Sequence, residues 1–204
     1  MRYRLTLLLL TCVVITGCGI ETTTTAPIPV PAAPPAPPTI PAANGSTTET
    51  LETAELGSTK NVHTLGNTVF AGQFQQDDIA TLKEAGITQV ISLRKDAELD
   101  WNEAEAVTVT AAGLKHASIA FQAPSELTDE MFQQLRDLLG KEEGKTMMHC
   151  GGGNRVGAVW IAHRVLDDGV ELEAAIVEAK TIGLKSEPLK ERAIEYIKQQ
   201  QASE

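Results

Sequence analysis

Residues 61–204 predict an α/β domain of three layers, with a mainly parallel four- to five-stranded sheet flanked by helices. Three observations carry this. Short apolar runs with few charges alternate with longer amphipathic stretches. Glycines follow three of those stretches, at Gly86, Gly113 and Gly140, where a helix ends most easily. The alternation of strand and helix is the βαβ repeat, because parallel neighbours need a long crossover between them.

The elements follow in order. Thr68–Ala71 forms a short strand ending at Gly72. Gln75 to Ala85 forms a helix, with Asp77 and Asp78 in its first turn, where acids complement the helix dipole. Ile87 to Leu93 carries no charge and suits a strand buried on both faces. Trp101 to Ala112 is expected to be helical, and Leu114 to Phe121 a strand. Thr128 caps a helix over Asp129 to Leu139. Thr146 to His149 is the next strand, and Arg155 to Asp167 a strongly apolar helix. Leu172 to Ala179 and Pro188 to Gln200 close the chain, with the Glu171–Glu178 and Glu187–Glu195 acids expected on solvated faces.

The whole chain has 204 residues, 42% of them hydrophobic, three cysteines and a net charge of −10. So few cysteines exclude a disulfide-dense scaffold. The acidic balance argues against nucleic acid as a partner, since phosphate backbones need stripes of Lys and Arg. These averages hide three segments. Residues 1–17 have the form of a signal peptide: Arg2 and Arg4, then an apolar run over Leu5 to Ile15, too short for a membrane span of about 20 residues. The run ends in Ile15-Thr16-Gly17-Cys18, which resembles the bacterial lipobox. That resemblance implies cleavage after Gly17, diacylglycerol on the Cys18 sulfur and a place in the cell envelope, with Gly19 favouring the periplasmic side of the outer membrane. Residues 18–60 then form a tether holding eight of the ten prolines, too many for helix or strand, although Thr48 to Leu56 could form a short helix. With Cys12 removed and Cys18 acylated, Cys150 is the only free thiol.

The chemistry gathers around Cys150. Gly151, Gly152 and Gly153 let the backbone turn its N–H groups inward as an anion nest, and the helix that follows adds its dipole. A thiol there is expected to favour the thiolate. Arg155 adds a planar fork for a tetrahedral oxyanion, and His149 can orient the loop from the strand end. A thiolate, an N–H cradle including Asn154, and an arginine are what attack on a phosphate ester requires.

His149-Cys150-Gly-Gly-Gly-Asn-Arg155 resembles the signature loop of cysteine-dependent, dual-specificity-type protein tyrosine phosphatases. It is closer still to the bacterial beta-lactamase-hydrolase-like, or fused phosphatase-like, branch, which the stretch Val90–Arg94 also resembles. The resemblance implies Cys150 as nucleophile, Arg155 as phosphate clamp and the backbone of residues 151–155 as cradle. It further implies a phosphorylated protein or small phosphoester as partner, with no cofactor.

The sequence departs from the family in three ways. Four residues separate Cys150 from Arg155 where the phosphatase signature has five, and rhodanese-type sulfurtransferases share the shorter loop. Val156 stands where a Ser or Thr usually assists the second step. A general acid belongs on the loop after the Leu114–Phe121 strand, where only Glu126 and Asp129 are at hand. A sulfurtransferase and a module that binds an oxyanion without turnover therefore remain alternatives. His63, His116 and His163 are scattered and read as packing or surface residues, so no metal is expected. Arg94 could line the same pocket or pair with Asp96 or Glu98, and Trp101 and Trp160 suit the core or a cleft wall.

Overall fold

The computed structural model describes residues 49–98 and 104–203; Cys18, the signal segment, most of the tether and Trp101 lie outside them. Six strands form one sheet: β1 Glu52–Leu56, β2 Thr59–Leu65, β3 Thr68–Ala71, β4 Ile87–Ser92, β5 Lys115–Ser118 and β6 Lys145–His149. Their order across the sheet is β1-β2-β3-β6-β4-β5. From β3 to β5 all neighbours are parallel, while β1, β2 and β3 pair antiparallel. The helices are α1 Ile79–Glu84, α2 Glu105–Ala111, α3 Asp129–Lys141, α4 Asn154–Leu166, α5 Leu172–Ile182 and α6 Glu187–Gln201. The fold is the α/β class expected.

Both faces of the central strands are covered. Phe70, Ile91 and Met148 point into one core with Phe132, Trp160 and Tyr196. Val69, Val90 and Met147, their neighbours in the strands, point into the other with Leu82 and Val109. Strand alternation thus feeds two cores at once, as a sheet between helical layers requires. In α4 every residue from Val156 to Ala162 is buried, which marks it as the central helix on its side.

Several expectations change. The sheet has six strands rather than four to five, because residues 52–56 form strand β1 instead of a short helix, and β2 starts at Thr59. The folded part therefore begins before residue 61. The mostly polar residues of these antiparallel strands look, in a Thr-rich stretch, like more tether. Helix α2 begins at Glu105, and α3 runs through Gly140, where no neighbouring atom lies close to the missing Cβ. Glu178 lies off its expected solvated face, accepting from Trp160 Nε1 at 3.0 Å and Arg164 Nε at 2.8 Å.

Candidate active site

Strand β6 is flanked by β3 and β4, and Cys150 is the first residue beyond its C-terminal end, where ligands bind in parallel sheets. Cys150 N–H donates to Ala71 O at 3.3 Å, and Leu93 N–H donates to His149 O at 3.0 Å, so both neighbouring strands hold the chain there. The loop then passes through three glycines into α4. Gly153 adopts φ +95°, and a Cβ on it would lie 2.0 Å from Ile182 O, so no other residue fits. Gly151 and Gly152 face open space.

The loop carbonyls are held outward. Gly151 O accepts from Gln73 N–H at 3.4 Å, and Gly152 O accepts from Asn61 Nδ2 at 3.1 Å. In a planar trans peptide the N–H points opposite to its C=O, so the N–H groups of Gly152 and Gly153 turn inward. Gly153 N–H donates to the Cys150 sulfur at 3.2 Å. Among the described residues, the N–H groups of Gly151, Gly152, Asn154 and Arg155 have no protein acceptor. With the α4 dipole they gather unpaired donors at one place, the arrangement that an anion nest would need. The Asn154 side chain faces elsewhere: its Oδ1 accepts from Lys185 N–H at 2.8 Å and Ser186 N–H at 2.9 Å, leaving only its backbone for the cradle.

Arg155 is pinned. Its Nη1 donates to Leu93 O at 2.8 Å, Phe121 O at 2.6 Å and Glu98 Oε1 at 3.0 Å, and its Nη2 donates to Glu98 Oε2 at 2.6 Å. A guanidinium has five N–H donors, so Nε–H and one Nη2–H remain, side by side on one edge. That edge matches two oxygens of a tetrahedral oxyanion. Burial works against the Arg155 charge, but the hydrogen bond to Glu98 and the nearby Cys150 raise its pKa above the ordinary value. The Arg155 hydrogen bond in turn holds the Glu98 carboxyl at about 2 against its own burial. Arg94 pairs with Glu98, Nε to Oε2 at 3.7 Å, and its Nη1 donates to Gln73 Oε1 at 2.6 Å, its Nη2 to Glu98 O.

Behind the loop, His149 is fully buried, with Nε2 at 2.7 Å from Glu105 Oε1, and His116 Nε2 meets the same oxygen at 3.2 Å. Burial pushes the Glu105 carboxyl up, yet the two imidazoles hold it at about 2. Both Nε2 atoms therefore carry hydrogen. This fixes the ring of His149, and with it the start of the loop.

Neither expected acid contacts the loop from Cys150 to Arg155. Glu126 pairs with Lys95 at 2.9 Å and accepts from Gln122 N–H, and the Lys95 hydrogen bond lowers its pKa, which suits a proton donor poorly. Asp129 pairs with Arg192 of α6.

Residues 68–167 match the family model described as "Swiss Army Knife protein, DSP-PTPase phosphatase domain". This stretch is similar to a dual-specificity-type protein tyrosine phosphatase domain. Its phosphatase-like span covers β3 to α4 and contains the whole loop. No curated protein matches the chain. Among solved structures, P. aeruginosa TpbA in complex with pTyr is 18% identical, with a TM-score of 0.56 over 75% of this chain and 90% of that one. Tk-PTP in its active form is 20% identical, with a TM-score of 0.56 over 65% of this chain and 92% of that one. PTPMT1 in complex with PI(5)P is 15% identical, with a TM-score of 0.57 over 67% of this chain and 93% of that one. Likeness at these identities is one of fold.

Four residues at the phosphatase-like loop escape a sequence-level search: Asn61, Gln73, Glu98 and Glu105. Glu98 was visible only as a partner for Arg94. Glu105 looks like an ordinary first-turn acid, although it is 1% exposed. Asn61 carried one signal, a strand-disfavoured residue inside Lys60-Asn-Val-His63.

Proposed function

We propose that this chain is a lipid-anchored cysteine-dependent phosphatase acting on a phosphotyrosine-type phosphoprotein or a small phosphoester. One observation carries the reading: Gly153 N–H on the Cys150 sulfur at 3.2 Å, beside an Arg155 pinned so that one two-donor edge is left. The Cys150 sulfur attacks phosphorus while the phosphate oxygens rest on the loop N–H groups and the Arg155 edge. The S–P bond forms as the P–O bond to the leaving group breaks. Water then cleaves the phosphocysteine, releasing phosphate and the thiolate. Val156 has no hydroxyl to assist that second step. The pTyr held by TpbA and the PI(5)P held by PTPMT1 support a phosphate monoester as substrate class. Arg2, Arg4, the apolar run to Ile15 and the sequence Thr16-Gly17-Cys18 support a lipid on Cys18 and a periplasm-facing position in the envelope.

The test is turnover of p-nitrophenyl phosphate, whose leaving group needs no proton donor, by the purified chain and by Cys150→Ser. Hydrolysis lost in the variant supports the proposal. Sulfur transfer from thiosulfate to cyanide without phosphate release would replace it with a sulfurtransferase. The commitment of Glu126 and Asp129 to Lys95 and Arg192 favours one second reading, a module that binds a phosphoester without turning it over. Phosphate protection against thermal unfolding without hydrolysis would select it. Palmitate labelling that disappears in Cys18→Ser tests the anchor.

A further inference from the structure

Asn61 lies outside the stretch that resembles a phosphatase, on the antiparallel extension of the sheet. It sits in a bulge: Ala54 pairs with Val62 and Leu56 with Thr59, so Lys60 and Asn61 together face Glu55 alone. Bulges re-aim side chains. Asn61 is the only non-glycine residue with positive φ among the described residues, at 54°, a conformation disfavoured for any residue with a Cβ and least so for Asn.

Its carboxamide is fully used. Nδ2 donates to Ile182 O at 2.6 Å and to Gly152 O at 3.1 Å. Oδ1 faces His63 Nε2 at 3.1 Å. Burial lowers the pKa of His63, and its Nδ1 is buried without a partner, so the neutral ring carries its proton on Nε2 and donates to Oδ1. His63 thereby fixes which end of the Asn61 amide faces the loop. Two glycines make the approach possible: a Cβ at Gly153 would lie 2.7 Å from Asn61 Nδ2, and one at Gly183 would lie 2.6 Å from Gly152 O.

The carbonyl that Asn61 holds and the N–H that meets the Cys150 sulfur are the two ends of one peptide unit, Gly152 C=O and Gly153 N–H. We propose that Asn61 is a positioning residue for Cys150. Through the 152–153 peptide it aims the N–H at the sulfur and polarises it, as hydrogen bonds in series do. The consequence for turnover rests on the phosphatase reading; the effect on the sulfur does not.

The test uses the full chain with Asn61→Gly, which tolerates the backbone conformation and removes the amide, together with His63→Ala and His63→Gln. Alkylation of Cys150 by iodoacetamide at pH 7 is followed by peptide mass, and kcat and KM are measured on p-nitrophenyl phosphate. Loss of the aimed Gly153 N–H on the sulfur is expected to slow alkylation and kcat together by about tenfold in Asn61→Gly, with KM changing far less. His63→Ala is expected to lose part of the rate, and His63→Gln, which restores an N–H for Oδ1, to recover it. Wild-type alkylation in Asn61→Gly would overturn the inference. If Asn61→Gly does not fold, equal alkylation of wild type, His63→Ala and His63→Gln overturns it instead. Slower alkylation in a chain whose wild type hydrolyses no phosphate ester would keep the role of Asn61 and remove the phosphatase.

Discussion

Replacing Glu98 with Gln tests whether Arg155 is held in place by its neighbours. Glu98 makes a two-point ion pair with Arg155, at 2.6 and 3.0 Å, and both side chains are more than four-fifths buried. Its carboxyl is held at about 2 in the fold, by Arg155 first, against an ordinary 4.5. At about 1.4 kcal/mol per pH unit that gap corresponds to roughly 3 kcal/mol of stability, little screened at this burial. The folded carboxyl titrates lower than the unfolded one, so the contribution is complete above pH 4.5 and is lost as pH falls towards 2. Urea unfolding of the wild type and Glu98→Gln, followed by Trp160 fluorescence at pH 7 and again near pH 2.5, measures it. At pH 7 the variant is expected to be weaker by about 3 kcal/mol, a loss of roughly 6–12 °C in Tm. Near pH 2.5 the difference should shrink to a fraction of that. An equal difference at both pH values, or one under about 1 kcal/mol at pH 7, refutes the idea that Arg155 is preorganised through Glu98.

Three further outcomes are expected. Gly153→Ala puts a Cβ 2.0 Å from Ile182 O at φ +95°, and should cost about 2–3 kcal/mol in urea unfolding and slow Cys150 alkylation as well. Glu105→Gln removes the charge shared by His149 and His116 and should cost on the order of 3 kcal/mol at pH 7. Because the two imidazoles hold its buried carboxyl at about 2, that difference should fade between pH 4.5 and 2, as unfolding at both ends of the range would show. If the proposed phosphocysteine forms, Val156 offers no hydroxyl to its hydrolysis, and stopped-flow traces with p-nitrophenyl phosphate should begin with a burst near one p-nitrophenol per chain.

The loop was legible because its signal is local. Cys150, three glycines and Arg155 are contiguous, a helix start follows, and the apolar run before them marks the strand. The parallel sheet was legible for the same reason, since Ile87–Leu93 and Thr146–His149 are buried on both faces and show it in composition. What supports the loop was not legible, because it arrives across long sequence separations. Glu98 reaches Arg155 over 57 residues, Glu105 reaches His149 over 44, and Asn61 reaches Gly152 over 91. Only the strand order β3-β6-β4 brings those segments to one edge of the sheet. The extension β1–β2 was hidden differently. Its residues are mostly polar and merge with a Thr-rich tether, so composition carried no boundary.

The proposed phosphoester site lies in a chain of net charge −10. Its cations are largely neutralised in place, with Arg94 and Arg155 on Glu98 and Lys95 on Glu126. Bulk attraction is therefore weak, and the acidic remainder of the surface is screened beyond about 8 Å at physiological salt. What remains is short-range: unpaired N–H groups, the N-terminal dipole of α4 and one edge of a fixed guanidinium, all oriented before any ligand arrives. Such a site depends on geometry more than on charge. The peptide planes of the loop must stay turned, and the donors that turn them, the Gln73 backbone N–H on Gly151 O and the Asn61 amide on Gly152 O, are themselves neutral. Neutral donors at the rim therefore set the direction of the loop N–H groups, while the arginine supplies the charge.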